Sequence, residues 1–495
     1  MSESARRTVQ TICGVAGIIM LVVGLSALAV VRADNRDANL VAADQPATGG
    51  DAFVPGAAPG TDSGSSGDVS PSGDATTPSA GSGDTGAATA PSGTPSGGAA
   101  PSGAAGAPAP SAGGGQCADY NPNEGVFCDH WVVGGTTVLS GPLAIYGDQG
   151  VRGGQAWIEF FRTTIAPREH VRPPKLVFYD DGIDPNKTLQ FVQRLVEVDK
   201  VLLIAGVTSP EAVGDYLDSK QVPMIGDIGL SPKSYLNDMI FPTAAPYEVR
   251  SDLRIAIAKK AYPTIKKLAV VQEILPGVNP APIDKGWRDA AKKHGMDLVF
   301  YSSDLSSTDS TCKGHMLSAI RSQPDFIMLP VAAGTMLACV NEAGAKPGEG
   351  ALTTVQNWGG GSNLQFEVDQ CKELCYGMFS AGTPFLDPRE NPSQNAKDYL
   401  ANMAKYAPGR DVTGFIAINY YHAGLLQYEV MKQAGILHNL SRKNVIAAAK
   451  KFGPFETGFG NTVTWRDTVP RIPTTCGYNV ILDPKQKRWV FGKEK

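Results

Sequence analysis

Read from its amino terminus, the chain passes through three regimes of apolar and polar residues. Residues 11–31 form one almost uncharged apolar run, residues from about 33 to 115 hold almost no large apolar side chain, and from Cys128 onward short apolar runs alternate with longer amphipathic stretches. The last regime is the pattern of βαβ units. A parallel strand covered on both faces reads as a continuous apolar run, and the helix returning beside it is apolar on one face only. It predicts strands at 132–138, 175–179, 201–207, 222–225, 267–271, 297–301, 325–331, 352–355 and 375–380. Helices are predicted at 153–165, 185–198, 248–261, 284–294, 314–321 and 335–343, then at 395–406, 413–434 and 442–451. The chain closes in a strand pair, 477–482 and 488–491, turned by DPKQK. So many βα units exceed one comfortable sheet, and the pattern predicts two α/β lobes.

One helix start can be argued atom by atom. In YDDGIDPNKTLQFVQRLVEV, Asp184 can accept from the free N–H groups of the first turn, and Pro185 at the first helical position needs no donor. Leu189, Val192, Leu195 and Val196 then fall on one face. Asp180 and Asp181 are adjacent carboxylates at a strand end, where such a pair can bind a metal or trade a proton. No third ligand follows at a suitable spacing, so a capping or solvated role is expected and no metal site.

The first two regimes fall outside the folded part. Arg6 and Arg7 precede the apolar run, which is close to the ~20 residues a helix needs to cross the hydrocarbon core, and this order predicts the bulk of the chain outside the membrane. Ala27-Leu28-Ala29 and Val31-Arg32-Ala33 resemble cleavage sites, so both a membrane anchor and a removed signal fit. The Gly-, Ala-, Ser- and Pro-rich stretch that follows cannot bury enough surface to offset its chain entropy; it is expected to be a disordered tether spanning roughly 50 Å. A formal net charge of −4 over 495 residues, with the basic residues spread out, leaves no footprint for nucleic acid.

Seven of the eight cysteines lie in the part predicted to be exported, where oxidising conditions favour disulfides. Cys117 with Cys128 would close a short loop ahead of the first strand, and Cys312 with Cys339 would bridge the helix before strand 325–331 to the helix after it. Seven is odd, so one thiol is left over or pairs with another chain. Cys371 and Cys375 lack the histidines or further cysteines of a zinc site. No G-x-x-x-x-G-K-[ST], H-E-x-x-H or G-x-S-x-G is present, and VVGGTT lacks the spacing of a dinucleotide cradle. The chain reads as non-enzymatic and without a cofactor.

In open α/β sheets, ligands collect at the carboxyl ends of the strands. Three loops at such ends are polar and tight: Ser140-Gly141-Pro142 with Tyr146, Thr208-Ser209-Pro210, and Gln356-Asn357-Trp358 leading into a glycine-rich turn. Hydroxyls and free N–H groups at helix starts suit a carboxylate.

Four segments carry a resemblance. LSGPLAIYGDQGVRGGQAWIEFF, KLVFYDDGIDPNKTLQFVQRLV, VLLIAGVTSPEAVGDYLDSKQVPMIG and GFIAINYYHAGLLQYEVMKQAG resemble, in order, the first four strand units and the long returning helix of the solute-binding proteins of branched-chain amino-acid type ABC importers. The likeness covers the chain from about Asp129 to Lys495. It implies a two-lobed type I periplasmic-binding-protein fold, α/β throughout, with a parallel sheet in each lobe, hinge strands between them and the ligand clamped in the middle. Laid along this chain, the expected order is a membrane anchor or signal segment at 1–32, a linker at 33–116, the first lobe at 117–246 and 379–455, and the second at 247–378 and 456–495.

The resemblance also implies a carboxylate gripped by Thr208 and Ser209 and a pocket lined by Tyr146. The chain departs from the family's pattern at Gly229-Leu230, where amino-acid binders carry a threonine, and at Asn357-Trp358, where they carry a glutamate for the ammonium group. Val331 and Ala332 stand in place of second-lobe tyrosines. Removing the anionic partner of a buried ammonium costs several kcal/mol. The expected solute is therefore a small acid, amide or aromatic-bearing molecule, hydrogen-bonded by Asn357 and packed on Trp358 or Tyr146. The implied partner is an ABC permease and the implied place is the outer face of the cytoplasmic membrane. A ligand-sensing co-receptor using the same clamp is the alternative.

Overall fold

The computed structural model describes residues 117–491 apart from 142, 230, 307–311, 361–363, 384 and 475–476. The segments at 1–32 and 33–116, together with Leu230 and Cys476, lie outside the described residues.

β1 (Trp131–Thr137) is buried along its whole length, as its unbroken apolar run requires. α1 (Ala144–Phe160) follows and starts well before the predicted 153, because its early turns are rich in glycine and hide the helical period. Those glycines are there for packing. A Cβ on Gly147 would stand 1.7 Å from the Val138 carbonyl oxygen, and one on Gly153 would stand 2.1 Å from that of Ala417. Next come β2 (Pro174–Asp180), α2 (Pro185–Glu197), β3 (Leu203–Gly206), α3 (Pro210–Lys220), β4 (Met224–Asp227), the short α4 (Lys233–Leu236) and β5 (Ile240–Pro242). The strands form a parallel sheet in the order β2-β1-β3-β4-β5. Asp184 caps α2 as predicted, accepting from the N–H groups of Asn186 and Lys187.

The chain then crosses to a second sheet through α5 (Tyr247–Ala261), β6 (Lys267–Ile274), α6 (Ala281–Lys293), β7 (Asp297–Ser306), α7 (Lys313–Arg321), β8 (Phe326–Leu329), α8 (Ala333–Ala343), β9 (Asn357–Gly360), α9 (Gln365–Cys371) and β10 (Phe379–Thr383). It returns to the first lobe with α10 (Gln394–Tyr406), α11 (Phe415–Gln433), α12 (Arg442–Ala449) and the hairpin β11 (Phe455–Glu456) and β12 (Thr462–Val463). It ends back in the second sheet with β13 (Tyr478–Asp483) and β14 (Arg488–Phe491). That sheet runs β14-β13-β10-β9-β8-β6-β7 and is mixed, since β13 pairs antiparallel with both β10 and β14.

Two of the expected lobe boundaries move. β10 lies between β9 and β13, so residues 379–383 belong to the second lobe. The stretch after 455 stays with the first lobe: Trp465 packs on Phe241 and Phe452, and Arg471 donates to the carbonyls of Asn237 and Ile240 beside β5. A hairpin with two residues per strand leaves no apolar run to read, which is why sequence placed that switch too early.

α11 is buried on nearly every side, wedged between α1 and the first sheet. Trp157 meets Tyr421 edge-on, and a Cβ on Gly424 would stand 2.1 Å from the Trp157 ring. Asn419 and Gln427 donate to the carbonyls of Gly226 and Ile225, which fixes the helix on β4. Disulfides join Cys117 to Cys128 and Cys312 to Cys339, the two expected pairs, and also Cys371 to Cys375 at the end of α9. Inside the first loop, Val126 bridges to Trp131 at the head of β1, and Asp119 pairs with Arg172.

Candidate ligand cavity

A cavity of about 50 Å3 lies at the carboxyl ends of β1, β3 and β4, against the ~10–15 Å3 that one water needs. Its walls follow from the topology. β1 delivers Thr137 and Val138, β3 delivers Val207 and Thr208, and β4 delivers Gly226 and Ile228. Tyr146 comes from α1, Ile183 from the turn before α2, and Ile416 and Tyr420 from successive turns of α11. Leu275, just past β6, is the contribution of the second lobe. The wall is mostly aliphatic and aromatic.

Behind Thr208 sits Asp181, fully buried and fully engaged. The hydroxyls of Thr136, Thr208 and Thr188 reach its Oδ2 at 2.5, 2.7 and 2.9 Å, and the Ile183 N–H donates to Oδ1 at 3.0 Å. Asp180 accepts from the N–H groups of Leu139 and Gly182. Both carboxylates therefore tie loops together, and among the described residues no group of three His, Cys, Asp or Glu side chains could hold a metal ion.

Asp227 is the opposite case. It is buried between Gly226 and Ile228; the Ser234 hydroxyl and the N–H groups of Gly229 and Ile228 ease its charge, yet among the described residues neither carboxylate oxygen is hydrogen-bonded. Burial pushes its pKa up to about 6. Arg250 is close by but donates to backbone: Nε to Ala245 O at 2.7 Å, and Nη2 to Ile228 O and Gly229 O at 2.9 and 2.5 Å.

Of the residues singled out from sequence, Tyr146 and Thr208 line this cavity. Ser209 is buried beside Thr208 at the start of α3, its hydroxyl unpartnered among the described residues, while Ser140 and Gly141 are exposed. Gly229 serves a turn: its φ is +68°, its carbonyl accepts from Tyr235, and a Cβ would meet the Tyr235 hydroxyl at 1.7 Å. Ala332 starts α8, where its N–H is held by the Glu273 carboxylate.

Asn357 and Trp358 are not at the cavity. The predicted strand 352–355 is replaced by a 3-10 turn, Gly350–Leu352, and the paired strand begins at Asn357. Asn357 is thus at the amino end of β9, donating to the Tyr262 hydroxyl and Gly377 O, and Trp358 is fully buried in the second-lobe core. The strand runs through Trp-Gly-Gly, a composition that reads as loop; the glycines are needed because a Cβ on Gly360 would stand 2.6 Å from Leu329 O. Among the lining residues that sequence reasoning missed are Thr137, Ile183, Leu275 and Tyr420. The first three follow directly from the rule of strand ends once the strands are placed, whereas Tyr420 is one aromatic among many on an apolar helix and carries no signal of its own.

Residues 131–484 match the family described as Periplasmic binding protein. The chain belongs to that family. Among solved structures, this periplasmic binding protein is similar to a fatty acid ABC transporter substrate-binding protein from Thermomonospora curvata, with 19% identity, 75% of this chain and 93% of that chain covered, and a TM-score of 0.63. It is similar to the solute-binding protein of an ABC transporter from R. palustris in complex with 4-hydroxybenzoate (18% identity, 74% and 96% covered, TM-score 0.58). A branched-chain amino acid ABC transporter protein from Thermus thermophilus with bound valine is a third (16% identity, 73% and 94% covered, TM-score 0.57). Likeness at these identities speaks for the fold, the two-lobed type I arrangement expected from the sequence. No curated protein matches the chain. Among the described residues, no helix of this periplasmic binding protein is long and apolar enough to cross a membrane.

Proposed function

We propose that the protein is a non-enzymatic, extracellular solute-binding protein that closes its two lobes on a small solute with an apolar body and hands it to an ABC permease. The observation that carries the reading is the cavity at the strand tips, walled mostly by the first lobe with Leu275 of the second among its lining residues. A ligand touching both lobes favours the shut state over the open one, which is what a capture protein needs. The apolar run at residues 11–31 and the linker after it supply a tether holding the captured solute near the outer face of the membrane. The relatives' ligands, a fatty acid, 4-hydroxybenzoate and valine, bracket the range to search.

Thermal-shift screening of the full-length chain against aliphatic, aromatic and amino-acid metabolites tests this. A true ligand at about a hundred times its Kd should stabilise the protein by about 2.7 kcal/mol. A panel with no stabilising member, or the detection of turnover, contradicts the reading.

A further inference from the structure

We propose that the head group taken by this cavity is a hydrogen-bond donor, a hydroxyl or an amine, and not a carboxylate. The inference rests on the solute-binding reading above and narrows its ligand.

The Thr208 hydroxyl has one proton, and the geometry assigns it to Asp181 Oδ2 at 2.7 Å. Thr136 and Thr188 donate to the same oxygen, so three hydroxyl protons converge on the Asp181 carboxylate. What Thr208 has left for the cavity it lines is lone pairs. It accepts there; it does not grip an anion, as the family resemblance implied. Among the described residues, no Lys, Arg or His lines the cavity. Arg250 lies one layer back, with Nε and Nη2 turned to the carbonyls of Ala245, Ile228 and Gly229. The other charges next to the wall are Asp181 behind Thr208 and Asp227 between the lining residues Gly226 and Ile228, the second of these partly offset by the field of Arg250. A carboxylate entering this space would shed its water, meet tyrosine hydroxyls at best, and face Asp181 directly behind Thr208 with no cation in the wall to offset it. An alcohol gains an acceptor at Thr208, and an amine also gains the field of the Asp181 carboxylate behind it.

The test uses the full-length chain and two matched series, benzoate, benzyl alcohol and benzylamine, and hexanoate, hexanol and hexylamine, by thermal shift and calorimetry at pH 7.5. The alcohol or amine of at least one series should bind about tenfold or more tightly than its acid. Thr208→Val, which keeps the shape and removes the acceptor, should cost the alcohol about tenfold and leave the acid unchanged. Asp181→Asn should narrow the gap by admitting the acid; Thr208→Val carries the test should that variant fail to fold. Acids binding as well as their alcohols and amines, or a preference untouched by Thr208→Val, overturns the inference and leaves the solute-binding reading standing. Silence of all six compounds overturns the inference too, and the wider metabolite panel then decides separately whether the reading survives.

Discussion

Two buried side chains set opposite responses to pH. Asp227 has a raised folded pKa, about 6 against an ordinary value near 3.8, so the folded state holds its proton more tightly than the unfolded state. Stability from this group is therefore full below pH ~4 and lost as pH rises to ~6, a cost of about 3 kcal/mol at neutral pH. Asp227→Asn should stabilise the protein by about 2 kcal/mol at pH 7.5 and give no gain at pH 4, as read from urea melts; an equal gain at both values would contradict the assignment. His422 runs the other way. It is fully buried on α11, with neither ring nitrogen hydrogen-bonded among the described residues and Phe385 and Phe459 edge-on at 5.1 and 5.8 Å. Burial lowers its pKa to about 3, so the unfolded chain takes up its proton first and stability falls as pH drops from ~6.5 toward ~3, by about 1.4 kcal/mol per unit. Between pH ~6 and ~4 the two slopes offset each other in the wild type. The comparison of wild type with His422→Phe isolates the histidine: the stability difference should shift in favour of the variant by about 1.4 kcal/mol for each pH unit below 6.5, and a difference flat with pH would refute the account.

Elements were legible where packing and propensity agree and hidden where they conflict. The first strand and the Asp184 cap of α2 could be read because each is a local rule satisfied locally. The start of α1 and the position of β9 could not, because both use glycine where a neighbouring backbone leaves no space. That conflict put Asn357 and Trp358 away from the cavity, while Thr208 and Tyr146 line it because the ends of β1 and β3 were placed almost correctly. The α1–α11 crossing makes the point measurable. Gly153→Ala pushes a methyl into the Ala417 carbonyl and should cost about 1–3 kcal/mol, whereas Gly314→Ala, at a position with no atom within 4 Å, should be neutral or mildly stabilising by denaturant melts. Opening the Cys312–Cys339 bridge, which spans 27 residues between α7 and α8, by the double serine variant should cost about 3 kcal/mol.

At the scale of the whole molecule, the described segments 243–246 and 385–393 and the stretch between 464 and 477 carry the chain from one sheet to the other. Leu275 and Leu364 of the second lobe touch the cluster built around Tyr146 and Phe415 of the first, and a Cβ on Gly277 would stand 2.9 Å from Pro185. The lobes thus meet in the described state, and Leu275→Ala should weaken ligand affinity about tenfold and enlarge the radius of gyration of the ligand-bound protein in X-ray scattering. The Cys117–Cys128 clasp adds a mechanical consequence. It fastens the upstream chain to the amino end of β1, opposite the strand tips and on a single lobe. A pull applied to the chain upstream of the clasp would therefore load that lobe alone and leave its twin unburdened.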